Sequence, residues 1–151
     1  KAENLLLDAS GQVKISDFGL SKAHPREKSK RRGSSASHGT FSHHAPEVLK
    51  GEYGLSADIF SFGIVITEAL TAKEAQDIID ETRNDKFGLN EEGLKDTFLD
   101  RSRHPQMAFE LVELAADCCR LEPGQRPSVT DCLTRLEQIR GELVVAESLE
   151  A

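Results

Sequence analysis

Asn4 and Asp17 are the side chains of this sequence best suited to gripping a divalent cation. A carboxamide oxygen and a carboxylate are hard ligands of the kind Mg2+ and Ca2+ accept. Each borders a short apolar run, so a tight ribbon between them would bring both to one end. Gly19, just beyond Asp17, permits the sharp turn that would aim the carboxylate inward. His38, His43 and His44 add three imidazoles. Neither a fourth ligand nor the spacing of a structural zinc site accompanies them, so a metal role there is a minor expectation.

The elements that must position these groups can be read from the pattern. Asn4 to Asp8 and Gln12 to Asp17 flank Ala9-Ser10-Gly11, and Val13 and Ile15 alternate with Lys14 and Ser16. That pattern predicts a short β-hairpin. Residues 21–42 are poor in apolar side chains and rich in Ser, Gly, Lys and Arg, which predicts a long exposed loop. From Ala57 to Leu70 the only charges are Asp58 and Glu68, and apolar residues cover nearly every face. A helix there, capped by Ser56, must be a buried central post. Residues 72–105 are mixed, with weak helical character to about Arg83 and a loop around Phe87 to Asn90. An amphipathic helix is expected over 108–121, ended by Pro123-Gly124. Another runs from Ser128 to about Leu143, opened by a Ser128/Asp131 capping box, with Val129, Leu133, Leu136, Ile139 and Leu143 on one stripe. The fold class is therefore mainly α with a short β-hairpin.

Composition bounds the rest. The chain of 151 residues, with 38% hydrophobic and 30% charged residues, has room for one core. No apolar stretch approaches a membrane span, and no secretion signal stands at the start, so a soluble, cytoplasmic protein with no membrane partner is expected. Cys118, Cys119 and Cys132 form an odd set without metal-ligand spacing and read as reduced, buried hydrophobes. A net charge of −7 argues against a nucleic-acid partner, although Lys28 to Arg32 forms a basic island. The chain starts at Lys1, and its only methionine is Met107, so a partial sequence is expected.

Three motifs in order now carry a resemblance. Lys1-Ala2-Glu3-Asn4 resembles the end of the protein-kinase catalytic loop, Asp17-Phe18-Gly19 its metal-binding motif, and Ala45-Pro46-Glu47 the close of its activation segment. The resemblance reaches to about Ile139. It implies the helical C-terminal lobe of the α+β kinase fold, incomplete, over residues 1–143, with 144–151 as a tail. It implies a Ser/Thr kinase acting on protein substrates, with ATP and Mg2+ as cofactors. Lys1 would contact the transferring phosphate, Asn4 and Asp17 would ligate the metal, and Leu6 would lie beneath the adenine. Phe18 would pack in a hydrophobic column between lobes. Gly39-Thr40 resembles the start of the substrate-docking loop, where the Thr40 hydroxyl would serve the catalytic groups. Glu47 and Arg126 match a buried ion pair, and Asp58 matches an aspartate that bonds the catalytic-loop backbone.

The segment from Asp17 to Glu47 is similar to an activation segment. Phosphate on Ser29, Ser34, Ser35, Ser37 or, less readily, Thr40, set among Lys28, Lys30, Arg31 and Arg32, could order it through an activating kinase as partner, a solvated loop with no switching role being the equal alternative. His43-His44 departs from the aromatic and Met or Arg usual before A-P-E. The runs SADIFSFGIVITEAL and CCRLEPGQRPS resemble the tyrosine-kinase-like group, and Lys86 to Asn90 with the basic island resembles its LIM-kinase branch. No Gly-rich phosphate loop, V-A-I-K lysine or H-R-D aspartate occurs in the sequence. The catalytic Asp is expected two positions before Lys1, so the fragment alone should be inactive, marginally stable and prone to aggregate. A pseudokinase or scaffold that keeps the fold as a binding surface is the alternative.

Overall fold

The computed structural model describes residues 1–19, 31–32, 41–82 and 104–150. Strands β1 (Leu5–Leu7) and β2 (Val13–Ile15) pair antiparallel, with Leu6 opposite Lys14. Their turn is built by Asp8, whose carboxylate accepts from the Ser10 amide at 2.9 Å, the Ser10 hydroxyl at 2.6 Å and the Gln12 amide at 3.0 Å. Gly11 completes it at φ 78°, in the left-handed region where a side chain is costly.

Strand β3 (Arg31–Arg32) lies antiparallel to β4 (Glu52–Tyr53), Arg31 opposite Tyr53 and Arg32 opposite Glu52. The expected loop over 21–42 is thus interrupted by a strand, and Phe41–His43 forms a 3-10 turn. Helix α1 (Pro46–Leu49) follows, with Pro46 in its first turn, where a missing N–H costs nothing.

Helix α2 (Leu55–Thr71) is the centre of the molecule. Its cap is Gly54, with no side-chain cap bond, rather than Ser56, which lies inside the first turn. The expected apolar surround is realised as two faces. Ile59 and Ile66 pack with Leu114, Ala115, Cys118 and Cys132, while Phe60 and Ile64 pack with Ala45, Ala75 and Cys119. At the crossing with α4 (Pro105–Cys118), Gly63 lets the helices touch. A Cβ there would lie 2.6 Å from the Cys119 sulfur and 2.9 Å from the Ala115 carbonyl oxygen. The α2 helix ends with Ala72 at φ 52°, a left-handed cap made without glycine.

Helix α3 (Ala75–Thr82) realises the weak helical character expected before Arg83, while the loop expected around Phe87 to Asn90 lies outside the described residues. Helix α4 begins and ends three residues before the range expected from periodicity, because Pro105 can open a helix. Helix α5 (Val129–Glu150) runs on past Leu143. Its start is the capping box read from the sequence. The Ser128 amide and hydroxyl both donate to Asp131 Oδ2, at 3.0 and 2.6 Å, and the Asp131 amide returns a bond to Ser128 Oγ at 3.2 Å. Val129 and Leu133, two members of the stripe, are nevertheless exposed, whereas Cys132 and Ile139 are buried.

The three cysteines are free and buried. The Cys118 and Cys132 sulfurs lie 3.7 Å apart, while Cys119 faces the Phe60 carbonyl on the other side. Burial pushes the Cys119 thiol up to about 12, so it stays protonated and behaves as a hydrophobe. Among the described residues no helix is long and apolar enough to cross a membrane.

Candidate functional site

The ribbon of β1 and β2 does what the spacing asked of it. Asn4 precedes β1 at the end of a 3-10 turn (Ala2–Asn4), and Asp17 follows β2. The Asn4 carboxamide and the Asp17 carboxylate approach to 3.5 Å. Ser16 fixes this end, since its amide and hydroxyl both donate to the Asn4 carbonyl oxygen, at 2.8 and 3.0 Å. Sequence reasoning passed over Ser16; its place beside Asp17, directed away from Val13 and Ile15, was the available signal.

The sharp backbone turn expected from Gly19 falls on Asp17 itself, at φ 61°. Asp enters this region more readily than most residues, but still at a cost of about 1 to 3 kcal/mol. The donor set fits a hard cation such as Mg2+: two oxygen-bearing side chains on one rim, with no thiolate or imidazole among them. Among the described residues no group of three or more His, Cys, Asp or Glu side chains is placed to hold a metal ion. For Mg2+ the remaining oxygens usually come from ligand and water.

Lys1 is exposed at the same end of the hairpin. Leu6 is 53% and Phe18 65% exposed, so neither is spent on this chain's core and both are free to meet something else. Thr40, Ser29, Ser34, Ser35, Ser37, His38, Lys28 and Lys30 lie outside the described residues. Asp58 sits in the first turn of α2, and desolvation raises its carboxyl above the ordinary carboxylate value.

Glu47 and Arg126 meet across 79 positions in a fork-to-fork pair, at 2.6 Å and 2.9 Å. The Arg126 guanidinium is fully enclosed. It also donates to the carbonyl oxygens of Ser56, Arg120 and Leu121 and lies 5.0 Å over the Phe60 ring. This one side chain locks α1, the start of α2 and the turn before α5 together.

His43, which the sequence marked as a departure and as a minor metal-ligand candidate, is buried at 6% exposure and bonds Glu68 of α2 at 3.0 Å. No spacing signal could have paired them; the only hint was that Glu68 is one of two charges in an otherwise apolar helix.

Residues 1–136 match the protein kinase domain family. The chain belongs to the protein kinase family. Among curated proteins it is 31% identical, over its whole length, to the RasGEF domain-containing serine/threonine-protein kinase X of Dictyostelium discoideum. It is 34% identical, over 92% of its length, to the Probable serine/threonine-protein kinase PBL28 of Arabidopsis thaliana. To the Serine/threonine-protein kinase PBL34 of Arabidopsis thaliana it is 32% identical, again over 92%. The chain spans 15%, 40% and 30% of these relatives in turn. The described residues, mostly helical with a small two-stranded antiparallel sheet at β1 and β2, are consistent with a piece of a kinase domain.

Proposed function

We propose that this chain is the helical C-terminal lobe of a Ser/Thr protein kinase that transfers the ATP γ-phosphate to protein hydroxyls. The observation that carries the reading is the convergence of Asn4 and strained Asp17 on one rim of the hairpin. Magnesium-bound ATP supplies the reaction with an activated phosphoryl group whose charge is already partly neutralised. Asn4 and Asp17 would hold the metal, and Lys1, exposed on the same rim, would meet the transferring phosphate. Leu6 presents an apolar surface suited to the adenine ring, and Thr40 would serve the docking of the hydroxyl substrate. Glu47 and Arg126 keep the docking segment seated on the helical base.

A Lys at position 1, in place of the Arg or Ala of tyrosine kinases, supports Ser/Thr specificity. The α2 run and the Cys118 to Ser128 stretch favour the tyrosine-kinase-like group, and Lys86 to Asn90 its LIM-kinase branch. The basic island offers partners to a phosphate added by an activating kinase. Three free thiols suit a reducing compartment such as the cytoplasm. Within these 151 residues there is no H-R-D aspartate, so transfer depends on groups supplied from outside this segment.

The test uses the full-length protein with Mg2+, ATP and a mixed Ser/Thr peptide pool. Asp17→Asn is expected to lower kcat by at least about 10²-fold, since it removes charge stabilisation of the transferring group. Unchanged transfer in Asp17→Asn would overturn the assignment of the rim. Binding partners retained by a full-length protein that never transfers phosphate would instead favour the scaffold reading, which the His43-His44 departure keeps in view.

A further inference from the structure

We propose that Cys118 and Cys132 form a dithiol site that hydrogen peroxide closes to a disulfide, pinning α5 to α4 around the turn that carries Arg126. The proposal stands apart from the kinase reading, since it needs only the packing of the last two helices.

The two sulfurs lie 3.7 Å apart although 14 positions separate them in sequence, one at the end of α4 and the other in the first turn of α5. A disulfide sets its sulfurs about 2.05 Å apart, so closure asks each to shift by less than about 1 Å. The third thiol does not compete. Cys119 faces the Phe60 carbonyl oxygen at 3.6 Å, on the α2 side of the helix.

In the closed fold both thiols are sheltered. Burial first, and then Cys132 beside it, push the Cys118 thiol above its ordinary value, which keeps it protonated and a poor nucleophile. Peroxide must therefore reach the pair through a local opening, and the start of α5 provides one. From Ser128 to Thr134, Cys132 is the only buried residue, while Val129 and Leu133 are 66% and 55% exposed. The first turns of α5 thus rest on the core through one small side chain. Lifting them sacrifices little burial and uncovers both sulfurs at once. Arg135, ion-paired to Asp117 at 2.8 Å, holds the next turn in register, and its positive charge favours a Cys118 thiolate once water enters.

The chemistry balances in two steps. One sulfur gives up its proton and attacks a peroxide oxygen; the O–O bond breaks, the departing hydroxide takes that proton as water, and the sulfur becomes a sulfenic acid. The second sulfur then attacks the first: the S–S bond forms, the S–O bond breaks, and the leaving hydroxide takes the second thiol proton. Two thiols are oxidised and one peroxide is reduced to two waters. The loop so closed contains Arg126, which holds Glu47, and the Arg120 and Leu121 carbonyl oxygens that seat its guanidinium. The bridge therefore confines the whole turn that the Glu47 pair depends on.

The experiment exposes full-length protein to hydrogen peroxide, blocks the remaining thiols, and maps tryptic peptides without reductant. A cross-link between Cys118 and Cys132 is expected, lighter by two hydrogens and lost on reduction. It should persist in Cys119→Ala and vanish in both Cys118→Ala and Cys132→Ala. Amide hydrogen exchange over residues 119–134 is the second readout. Oxidation should slow it by at least about tenfold in the unaltered protein, reversibly, and leave it unchanged in Cys132→Ala. Sulfinic acid or free thiol at Cys118 and Cys132 with no cross-link overturns the site. A link that runs to Cys119 instead overturns the assignment of the pair, and a Cys118–Cys132 link without slowed exchange overturns the pinning.

Discussion

At the residue scale, the enclosed Glu47–Arg126 pair sets the sharpest expectation. Truncating either partner leaves the other charge enclosed and uncompensated, a loss of about 3 to 5 kcal/mol. Both Glu47→Ala and Arg126→Ala should therefore lower the urea midpoint strongly, and Arg126→Lys should do nearly as badly because an ammonium cannot reproduce the fork. A double substitution to apolar residues that loses much less than either single one would confirm that the cost lies in the orphaned charge; additive losses would contradict it. His44 sets a pH expectation. Burial first, and then the charge of His43, push its imidazole below the ordinary value of 6.5. Between the depressed folded value and 6.5 the unfolded chain binds more protons, so stability falls as pH drops through that window and is restored above it. His44→Gln should flatten the fall of the thermal midpoint over roughly pH 7.5 to 5; parallel curves would refute the assignment. At this scale the sequence was legible where motifs name partners, since Asn4 does approach Asp17 and Glu47 does meet Arg126. It was silent on His43 with Glu68 and on Ser16, because pairing across a fold follows from packing and leaves no trace in spacing.

At the scale of elements, the contact between α2 and α4 hangs on one missing side chain. Gly63→Ala puts a methyl against the Cys119 sulfur, the Cys118 Cβ and the Ala115 carbonyl, none of which can swing aside as a flexible tip would. Separating two packed helices for one methyl should cost about 1 to 3 kcal/mol. Chemical denaturation should show it as a lowered midpoint with an unchanged slope; a neutral result would mean the helices do not approach as closely as described. The sequence announced the elements with strong period or chemistry: the hairpin, the central helix and the Ser128 capping box. It misplaced their ends, since Ser56 looked like a cap although Gly54 takes that position. It missed the β3–β4 pairing because two residues carry no periodicity.

At the scale of the whole molecule, the hairpin is at odds with its own surface. Leu7 is 73%, Val13 58% and Ile15 67% exposed on a ribbon of two short strands, a structure that is marginal in water by itself. The 151-residue chain should bind a hydrophobic dye and scatter light as its concentration rises, and Leu7→Lys with Ile15→Lys should reduce both. A sharp thermal transition with no concentration-dependent scattering would speak against this. The long reach of Arg126 bears on how the protein is made. Its partner Glu47 leaves the ribosome 79 residues ahead of it, a lead of roughly 4 to 16 s at ordinary elongation speeds. During that interval the nascent stretch of residues 41–49 has a carboxylate and no guanidinium. Translation must deliver the turn ahead of the last helix before Glu47 finds its partner, and a pause or premature stop in that stretch would leave an unpaired carboxylate for chaperones to shelter.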